Sequence, residues 1–467
     1  MEKNLAAAVE HEVFQALQMC SEKLGLKAFV IGGYVRDFLL KRPCKDIDIV
    51  VEGKGIALAK AFSRATNSRD VVIYERFGTA MVRYKDFEVE FVGARKESYR
   101  KNSRKPIVEA GSLKDDQLRR DFTINALSIS LNKENFGMLQ DPFEGLADLK
   151  AGIIRTPRDP KVTFSDDPLR MMRCIRFATQ LDFEIEASTY KGIIENKQRI
   201  KIVSPERIHV EINKIILANP PSKGFKLLFN TGLLHLIFPE LANMHGREFI
   251  DGRGHKDNFY HTLKVLDNIT QYTDNLWLRW AAILHDIAKP LTKRYEPEIG
   301  WSFHGHEDKG ARMVPKIFRR LRLPLNDQMR YVQKLVRLHQ RPIALVEEHV
   351  SDSAIRRLIF EAGDHLQDLL TLCRADITSK NPNKVKRYLE NYELLATRIK
   401  EVEERDQLRN WQPPVTGDII MKAFNLQPSR TVGLIKTEVR EAILDGLIPN
   451  DKELAIAYMY KIAPKYL

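Results

Sequence analysis

Residues Val30–Leu40 (VIGGYVRDFLL), followed after a four-residue gap by Lys45–Val51 (KDIDIVV), decide how the first part of this chain folds. The apolar run ending at Ile31 reads as a strand, Gly32 and Gly33 as its sharp exit, and Tyr34–Leu40 as a helix. A double glycine there lets backbone N–H groups approach phosphate oxygens, and the helix N-terminus favours an anion. Arg36, one turn in, is placed to reach a triphosphate. In the second stretch, alternation along a strand puts Asp46 and Asp48 on one face and Ile47 and Ile49 on the other. Two such carboxylates repel unless cations neutralise them, and an oxygen-rich pair suits Mg2+. A solitary Asp-x-Asp is more often a solvated strand face; the glycines and arginine just upstream make this one a candidate metal site. A third carboxylate is expected from Phe87–Val92 (FEVEFV), where Glu88 and Glu90 share a face and Glu90 is preferred.

Around this centre the pattern is mixed. Phe29–Ile31, Ile47–Val51, Val71–Tyr74, Ala80–Tyr84 and Phe87–Val92 read as strands. Ala6–Gly25, Tyr34–Leu40 and Gly55–Ala65 read as amphipathic helices, giving an α/β or α+β head. From Phe164 onward strand signals almost vanish. Helical patterns cover Pro168–Leu181, Pro205–Ala218, His261–Tyr272, Leu276–Ala288, Lys309–Leu321, Gln328–His339, Ser353–Ala362 and Lys384–Leu408. Pro220–Pro221, Gly252–Gly254 and Pro413–Pro414 are the expected joints.

The bulk numbers set limits. A chain of 467 residues exceeds one ordinary core, so two to four domains are expected. Its 43% hydrophobic content belongs to a folded chain rather than a disordered one. There is no apolar run of the roughly 18 residues that a membrane span needs, and no leader pattern, so a cytoplasmic protein is expected. The four cysteines, Cys20, Cys44, Cys174 and Cys373, are too scattered for a four-thiolate site or a disulfide framework. A net charge of +13 favours a polyanionic partner. Basic residues concentrate in Arg95–Lys105 (RKESYRKNSRK), expected to be a mobile loop, and in Arg319–Arg322.

Gly32-Gly33-x-x-Arg36-Asp37 followed by Asp46-x-Asp48 resembles the signature of the bacterial-type tRNA nucleotidyltransferase/poly(A) polymerase family, part of the polymerase-beta-like nucleotidyltransferases. Two further stretches agree. Leu118–Leu127 (LRRDFTINAL) is similar to that family's ribose-contacting motif, and Asp141–Lys150 (DPFEGLADLK) to its hinge between head and neck. The resemblance implies that Asp46, Asp48 and Glu90 are catalytic, with Mg2+ on the two aspartates. It also implies that Gly32, Gly33, Arg36, Arg120, Asp121 and Asn125 contact the nucleotide.

Phe164–Phe177 (FSDDPLRMMRCIRF) has Ser165 or Asp166 as a candidate helix cap and Pro168 in the first turn. Three-residue spacing puts Asp167, Arg170 and Arg173 near one helix face, where a surface salt-bridge ladder is the plain alternative. Cytosine and adenine each offer an amine donor beside a ring-nitrogen acceptor. Asp167 only accepts and Arg170 only donates, so the pair fits those two bases and mismatches uracil and guanine. The resemblance implies the same selection of CTP and ATP, with Arg173 and Arg176 contacting phosphate or primer. In the family a flexible loop at the place of Arg95–Val108 accompanies the final A addition.

Six of the twelve histidines lie between His255 and His339. His261, the His285-Asp286 doublet and Asp376, joined by His306 and His339, resemble the ligand set of the HD phosphohydrolase superfamily. Such a set suits Mn2+, Fe2+, Ni2+, Co2+, Zn2+ or Mg2+ and implies hydrolysis of a phosphomonoester or cyclic phosphodiester. The C-terminal segment around Pro414–Met421 and Leu426–Gly433 resembles the family's tRNA-binding tail. Ser429 stands where that family usually has glycine.

The expected architecture is therefore multidomain: a nucleotidyltransferase head at 1–158, an all-α neck with the selecting motif at 159–254, an HD-type helical body at 255–380 and a helical tail at 381–467. The expected activity is addition of C, C and A to the 3′ end of tRNA from CTP and ATP. The alternatives are a poly(A) polymerase, an A-adding or CC-adding partial enzyme, or an HD phosphohydrolase whose silent head binds RNA.

Overall fold

The computed structural model describes residues 3–467 apart from 69, 76, 77, 99–106, 346–350, 380 and 407–410. The chain divides into two compact units, Met1–Pro239 and Glu240–Leu467.

The first unit begins with a mixed sheet. Its strands are β1 (Lys27–Ile31), β2 (Asp46–Glu52), β3 (Val71–Tyr74), β4 (Thr79–Tyr84) and β5 (Phe87–Gly93). A separate hairpin of β6 (Arg95–Ser98) and β7 (Ile107–Ala110) precedes β8 (Ser128–Ser130) and β9 (Leu139–Gln140). The seven-stranded order is β3-β4-β5-β2-β1-β8-β9, antiparallel throughout except for the central β2–β5 pair. Helix Gly55–Ala65 leaves β2 and packs on β4 and β5, with Glu12–Lys23 beside it. On that side Ile47, Ile49 and Val51 are fully buried. On the other, Val50 joins Phe29, Ile31, Ala94 and Leu113 in a smaller core, so Asp46 and Asp48 emerge beside it. The strand register thus turns one hydrophobic alternation into both a core and a carboxylate row.

Two expectations for the head need correcting. The N-terminal helix is not continuous over Ala6–Gly25. A 3-10 turn at Ala6–Val9 ends first, and His11 starts the helix afresh by accepting from the Val13 N–H at 3.2 Å. The basic run from Arg95 does not open as a loop, because Arg95–Ser98 pairs with Ile107–Ala110; its centre, 99–106, lies outside the described residues.

Segment Asp141–Lys150 fastens the sheet to the helices that follow. The Asp141 carboxylate accepts from the Gly145 and Leu146 N–H groups at 2.7 and 2.9 Å. A Cβ on Gly145 would lie 2.3 Å from the Thr123 carbonyl oxygen, so only glycine allows this approach. Helices Pro160–Asp166, Leu169–Gln180, Ala187–Asn196, Pro205–Ile216 and Ser222–Asn230 complete the unit.

The second unit is helical, with Asn258–Ile269, Leu276–Leu284, His306–Leu321, Asp327–Leu338, Asp352–Ala362, Leu366–Asp376 and the long Pro382–Asp406. Gly417–Phe424, Arg430–Leu444 and Lys452–Ile462 share a core around Ile420, Ile435, Val439 and Met459. Ser429 is extended (φ −153°), so the turn there asks nothing of glycine. The unit is not wholly helical. Phe249–Ile250 pairs with Arg253–Gly254, and Arg294–Glu296 with Gly300–Ser302. The first hairpin turns at Asp251-Gly252, both at positive φ, a dipeptide that signals such a turn in sequence and that we read only as a joint. No helix among the described residues is long and apolar enough to cross a membrane.

Candidate functional site

In the head, parallel pairing sets Asp46 opposite Glu88 and Asp48 opposite Glu90. Glu88 is taken by Arg83 across the sheet at 2.8 Å, whereas Glu90 sits next to Asp48. Burial raises the Asp48 carboxyl above its usual value and Asp46 adds to the rise, with Arg120 opposing. Burial and then Asp48 raise Glu90 likewise. Asp48 and Glu90, side by side and each raised by burial and a neighbouring acid, form with Asp46 a carboxylate donor set suited to a divalent cation.

Gly32 belongs to this cluster. It has φ +82°, and a Cβ on it would meet Arg120 Nη1 at 2.8 Å and Asp48 Oδ2 at 3.2 Å. The glycine is what lets the arginine and the aspartate close over the turn. Arg36 is elsewhere engaged. Nearly buried, it grips Asp37 through Nε and Nη2 at 2.9 and 2.8 Å and donates from Nη1 to Asn125 Oδ1 at 2.7 Å. These bonds hold the turn in this structure. Asn125 passes the contact on, donating to Asp121 Oδ1 at 3.0 Å. Asp121 also takes Arg173 Nε at 2.7 Å. Burial alone would raise Asp121, but Arg173, Asn125 and Arg170 outweigh it and hold the group well below its usual value.

Asp167, Arg170 and Arg173, expected to select the base and hold phosphate, line a cavity of about 250 Å3 with Arg119, Arg120, Asp121 and Arg207. Asp167 lies outside the helix on which it was expected. Helix Pro160–Asp166 ends just before it, and its carboxylate accepts from the Leu169 N–H at 3.2 Å at the start of Leu169–Gln180. Ser165 and Asp166, the candidate caps, are the last turn of the earlier helix. Arg170 is 8% exposed; Nη2 donates to the Arg119 carbonyl at 2.7 Å, while buried Nη1 has no partner. An unpaired buried donor costs about 1–3 kcal/mol, which a ligand acceptor would offset. Arg176 does not face the cavity. It is buried against Glu211 at 2.6 Å with its guanidinium 3.9 Å from the centre of the Phe177 ring.

Asp116 was missed from sequence. Fully buried, it pairs with Arg119 through Oδ1 and with Arg120 through Oδ2 at 3.3 Å. It therefore aims the arginine above Gly32 and the residue whose carbonyl holds Arg170. The i,i+3 and i,i+4 spacing was visible, but its burial was not.

In the second unit the predicted ligands converge. Asp286 reaches both ways. Its Oδ2 is 3.4 Å from His261 Nε2 and 3.2 Å from His285 Nε2. Its Oδ1 is 3.2 Å from His306 Nε2 and 3.7 Å from His339 Nε2. Asp376 lies 3.0 Å from His261 and 3.6 Å from His285. Two groups able to hold a metal ion result, His261–His285–Asp286 and Asp286–His306–His339. In His285, His306 and His339 the Nδ1 atom lies 2.7 Å from a backbone carbonyl, of Ala282, Phe303 and Val336 respectively. A carbonyl only accepts, so each Nδ1 is the protonated nitrogen and each Nε2 offers a lone pair inward. The Nε2 atoms of His285 and His339 are buried without hydrogen-bond partners, as metal-facing atoms would be. Lys289 bonds Asp286 at 2.6 Å and Gln340 approaches His306 Nε2 at 3.1 Å; neither was singled out from sequence.

Comparison with known proteins gives three matching profiles. Residues 28–155 match the "Poly A polymerase head domain", 182–244 the "Probable RNA and SrmB- binding site of polymerase A" and 258–369 the "HD domain". An A-adding tRNA nucleotidyltransferase of Aquifex aeolicus is 43% identical over 41% of this chain, a stretch that is 24% of that longer relative. The Thermotoga maritima CCA-adding enzyme, solved in complex with tRNA, superposes with a TM-score of 0.62 at 20% identity over 99% of both chains, a likeness of fold. A multifunctional CCA protein of Shewanella frigidimarina is 30% identical over 76% of this chain and 84% of its own length. With a relative at that identity over that share of both chains, the chain belongs to the CCA-adding tRNA nucleotidyltransferase family.

Proposed function

We propose that this enzyme completes the 3′ end of tRNA, adding C, C and A from CTP and ATP and releasing pyrophosphate. The carrying observation is the 250 Å3 cavity in which the acceptor Asp167 and the unpaired Nη1 donor of Arg170 stand together. Cytosine and adenine answer both groups, whereas uracil and guanine oppose both. Asp121, fixed by Arg173 and Asn125, and Arg120 then orient the sugar and phosphates. Asp46, Asp48 and Glu90 are the proposed Mg2+ ligands; when bound there, the ion supplies Lewis-acid stabilisation of the attacking and departing oxygens. The protein would act in the cytoplasm, where tRNA ends are made. Four functional regions, 1–158, 159–254, 255–380 and 381–467, remain the proposed division of labour.

The second centre is proposed to hydrolyse a phosphomonoester or cyclic phosphodiester. His261, His285, Asp286 and Asp376 would hold one ion, with His306 and His339 completing a second position. A bound Mn2+, Fe2+, Ni2+, Co2+, Zn2+ or Mg2+ would polarise the phosphate. Lys289 would keep Asp286 ionised and aligned.

An A-adding enzyme is the second reading, favoured by the name of the Aquifex aeolicus relative. Sequencing 3′ ends made from tRNA lacking all three nucleotides, with four nucleoside triphosphates supplied, separates them. Full CCA ends are expected. Extension only of tRNA already ending in CC would establish the A-adding reading, and long A tails would overturn both.

A further inference from the structure

Of the four imidazoles that converge on Asp286, one is held differently from the rest. His285, His306 and His339 each have Nδ1 2.7 Å from a backbone carbonyl. His261 Nδ1 lies instead 2.9 Å from the hydroxyl of Thr378. A carbonyl only accepts, so it fixes the proton on Nδ1 and leaves Nε2 as the lone-pair atom. A hydroxyl both donates and accepts, and it turns about its C–O bond without moving a heavy atom. His261 is therefore the ring of the four that can exchange its two neutral tautomers in place.

The other side of the ring has a partner for each form. His261 Nε2 is 3.0 Å from Asp376 Oδ1 and 3.4 Å from Asp286 Oδ2. When the Thr378 hydroxyl donates to Nδ1, Nε2 carries the proton and donates it to Asp376. When the hydroxyl accepts from Nδ1–H, Nε2 turns a lone pair toward the space shared with His285 and Asp286. The change takes one proton from Nε2 and returns one to Nδ1, so the ring stays neutral throughout. Water can carry that proton, because the His261 side chain is 11% exposed against 0, 3 and 1% for His285, His306 and His339.

Both partners come from one segment. Asp376 is the last residue of helix Leu366–Asp376, and Thr378 follows two residues on. Asn268 Nδ2 donates to the Ala375 carbonyl at 2.9 Å, and Lys256 Nζ to the Thr378 carbonyl at 3.0 Å. These bonds tie the segment, on either side of Asp376, to the His261 helix Asn258–Ile269 and to the chain just before it. The hydroxyl can thus turn while its backbone stays fixed.

We propose that Thr378 is a positioning residue that makes His261–His285–Asp286 the exchangeable half of the centre. The other half, Asp286–His306–His339, has both rings preset by carbonyls and holds its ion more tightly. The proposal rests on the reading of this cluster as a two-ion centre, and ion binding tests it without a hydrolysis assay. The full chain carrying Asp46→Ala and Asp48→Ala, which removes two acids of the head, is stripped with a chelator and titrated with Mn2+. Free Mn2+ is read by electron paramagnetic resonance. Two ions should bind per chain, with dissociation constants about tenfold or more apart. Adding Thr378→Val keeps the shape but leaves the Nδ1 proton of the ligand form without an acceptor. It should weaken the second binding step alone, by about 10- to 100-fold. Thr378→Ser, which returns the hydroxyl, should restore that step to within about twofold. Unchanged binding in Thr378→Val overturns the proposal, as does weakening of the first step. Equal weakening in Thr378→Ser overturns it too, making Thr378 a packing residue, and so does a single ion per chain before Thr378 is changed. A wild type that binds two ions in this way but hydrolyses neither a phosphomonoester nor a cyclic phosphodiester would sink the proposed hydrolysis and leave the Thr378 assignment standing.

Discussion

In the head, the side chains around the nucleotide cavity are fixed by one another: Asp116 holds Arg119 and Arg120, Asp121 holds Arg173, and Asn125 links Arg36 to Asp121. In the second unit three of the four imidazoles are fixed by the main chain, through the carbonyls of Ala282, Phe303 and Val336, and His261 by the Thr378 hydroxyl at 2.9 Å. The difference follows from the ligand each centre takes. A nucleotide presents a spread of charges and a base edge, so the head needs several groups whose positions depend on one another. A metal ion asks for a few lone pairs at one point, which helix ends supply when each ring is pinned from behind. The head should therefore fail by loss of neighbours, and the second centre by loss of individual ligands.

The largest expected effect comes from Asp48→Ala, which should lower CTP incorporation by roughly 10³-fold or more while the second centre keeps its hydrolysis. Labelled-nucleotide incorporation and p-nitrophenyl phosphate assays on one preparation check this, and parallel loss of both would show that the centres are not independent. His285→Ala should lower the metal content of the second centre, read by elemental analysis after dialysis, and abolish hydrolysis with incorporation kept within about twofold. Gly32→Ala forces a Cβ against Arg120 and Asp48 at positive φ and should cost about 10²-fold in incorporation. Its thermal midpoint should change far less than its rate.

Asp116→Asn sharpens the comparison most. It keeps the shape but removes the charge that aims two arginines, so kcat/KM should fall about 10–100-fold. Misincorporation of U and G should rise, because Arg170 loses the Arg119 carbonyl that positions it. Equal loss for all four nucleotides, with selectivity intact, would reduce Asp116 to a structural acid.

How much of this was legible in the sequence depends on the range of the interaction. Asp46, Asp48 and the five strands were readable because alternation is local and repeats every two residues. The four histidines and two aspartates that converge in the second unit were readable by type and order. The ion pair of Arg176 was not legible because its partner Glu211 lies 35 residues away, on the helix that packs against it. The partners of Arg36 were not legible because nothing in the segment reveals that its neighbour Asp37 and distant Asn125 bond its guanidinium. Asp167 was placed on the wrong side of a helix start because two helices meet there with almost no linker.

The smallest effect is on stability in acid. Asp121 is held below the usual 3.8 in the folded state, so its contribution is present above that value and fades as pH falls through the lower folded value. Asp121→Asn should lower the melting temperature by a few degrees near neutral pH, with the gap to wild type closing as the buffer is taken well below pH 4. A gap that stays constant with pH would mean that packing, not charge, is what the side chain contributes.

The account stands or falls on whether the head acids grip divalent cations beneath a triphosphate. Crystals of the full chain soaked with Mn2+ and a non-hydrolysable CTP analogue, measured at the manganese absorption edge, test it directly. The predicted result is anomalous density within coordination distance of Asp46 and Asp48, with the cytosine edge against Asp167 and Arg170. Manganese confined to the histidine centre, with those two aspartates turned toward solvent and the analogue bound elsewhere, would contradict it.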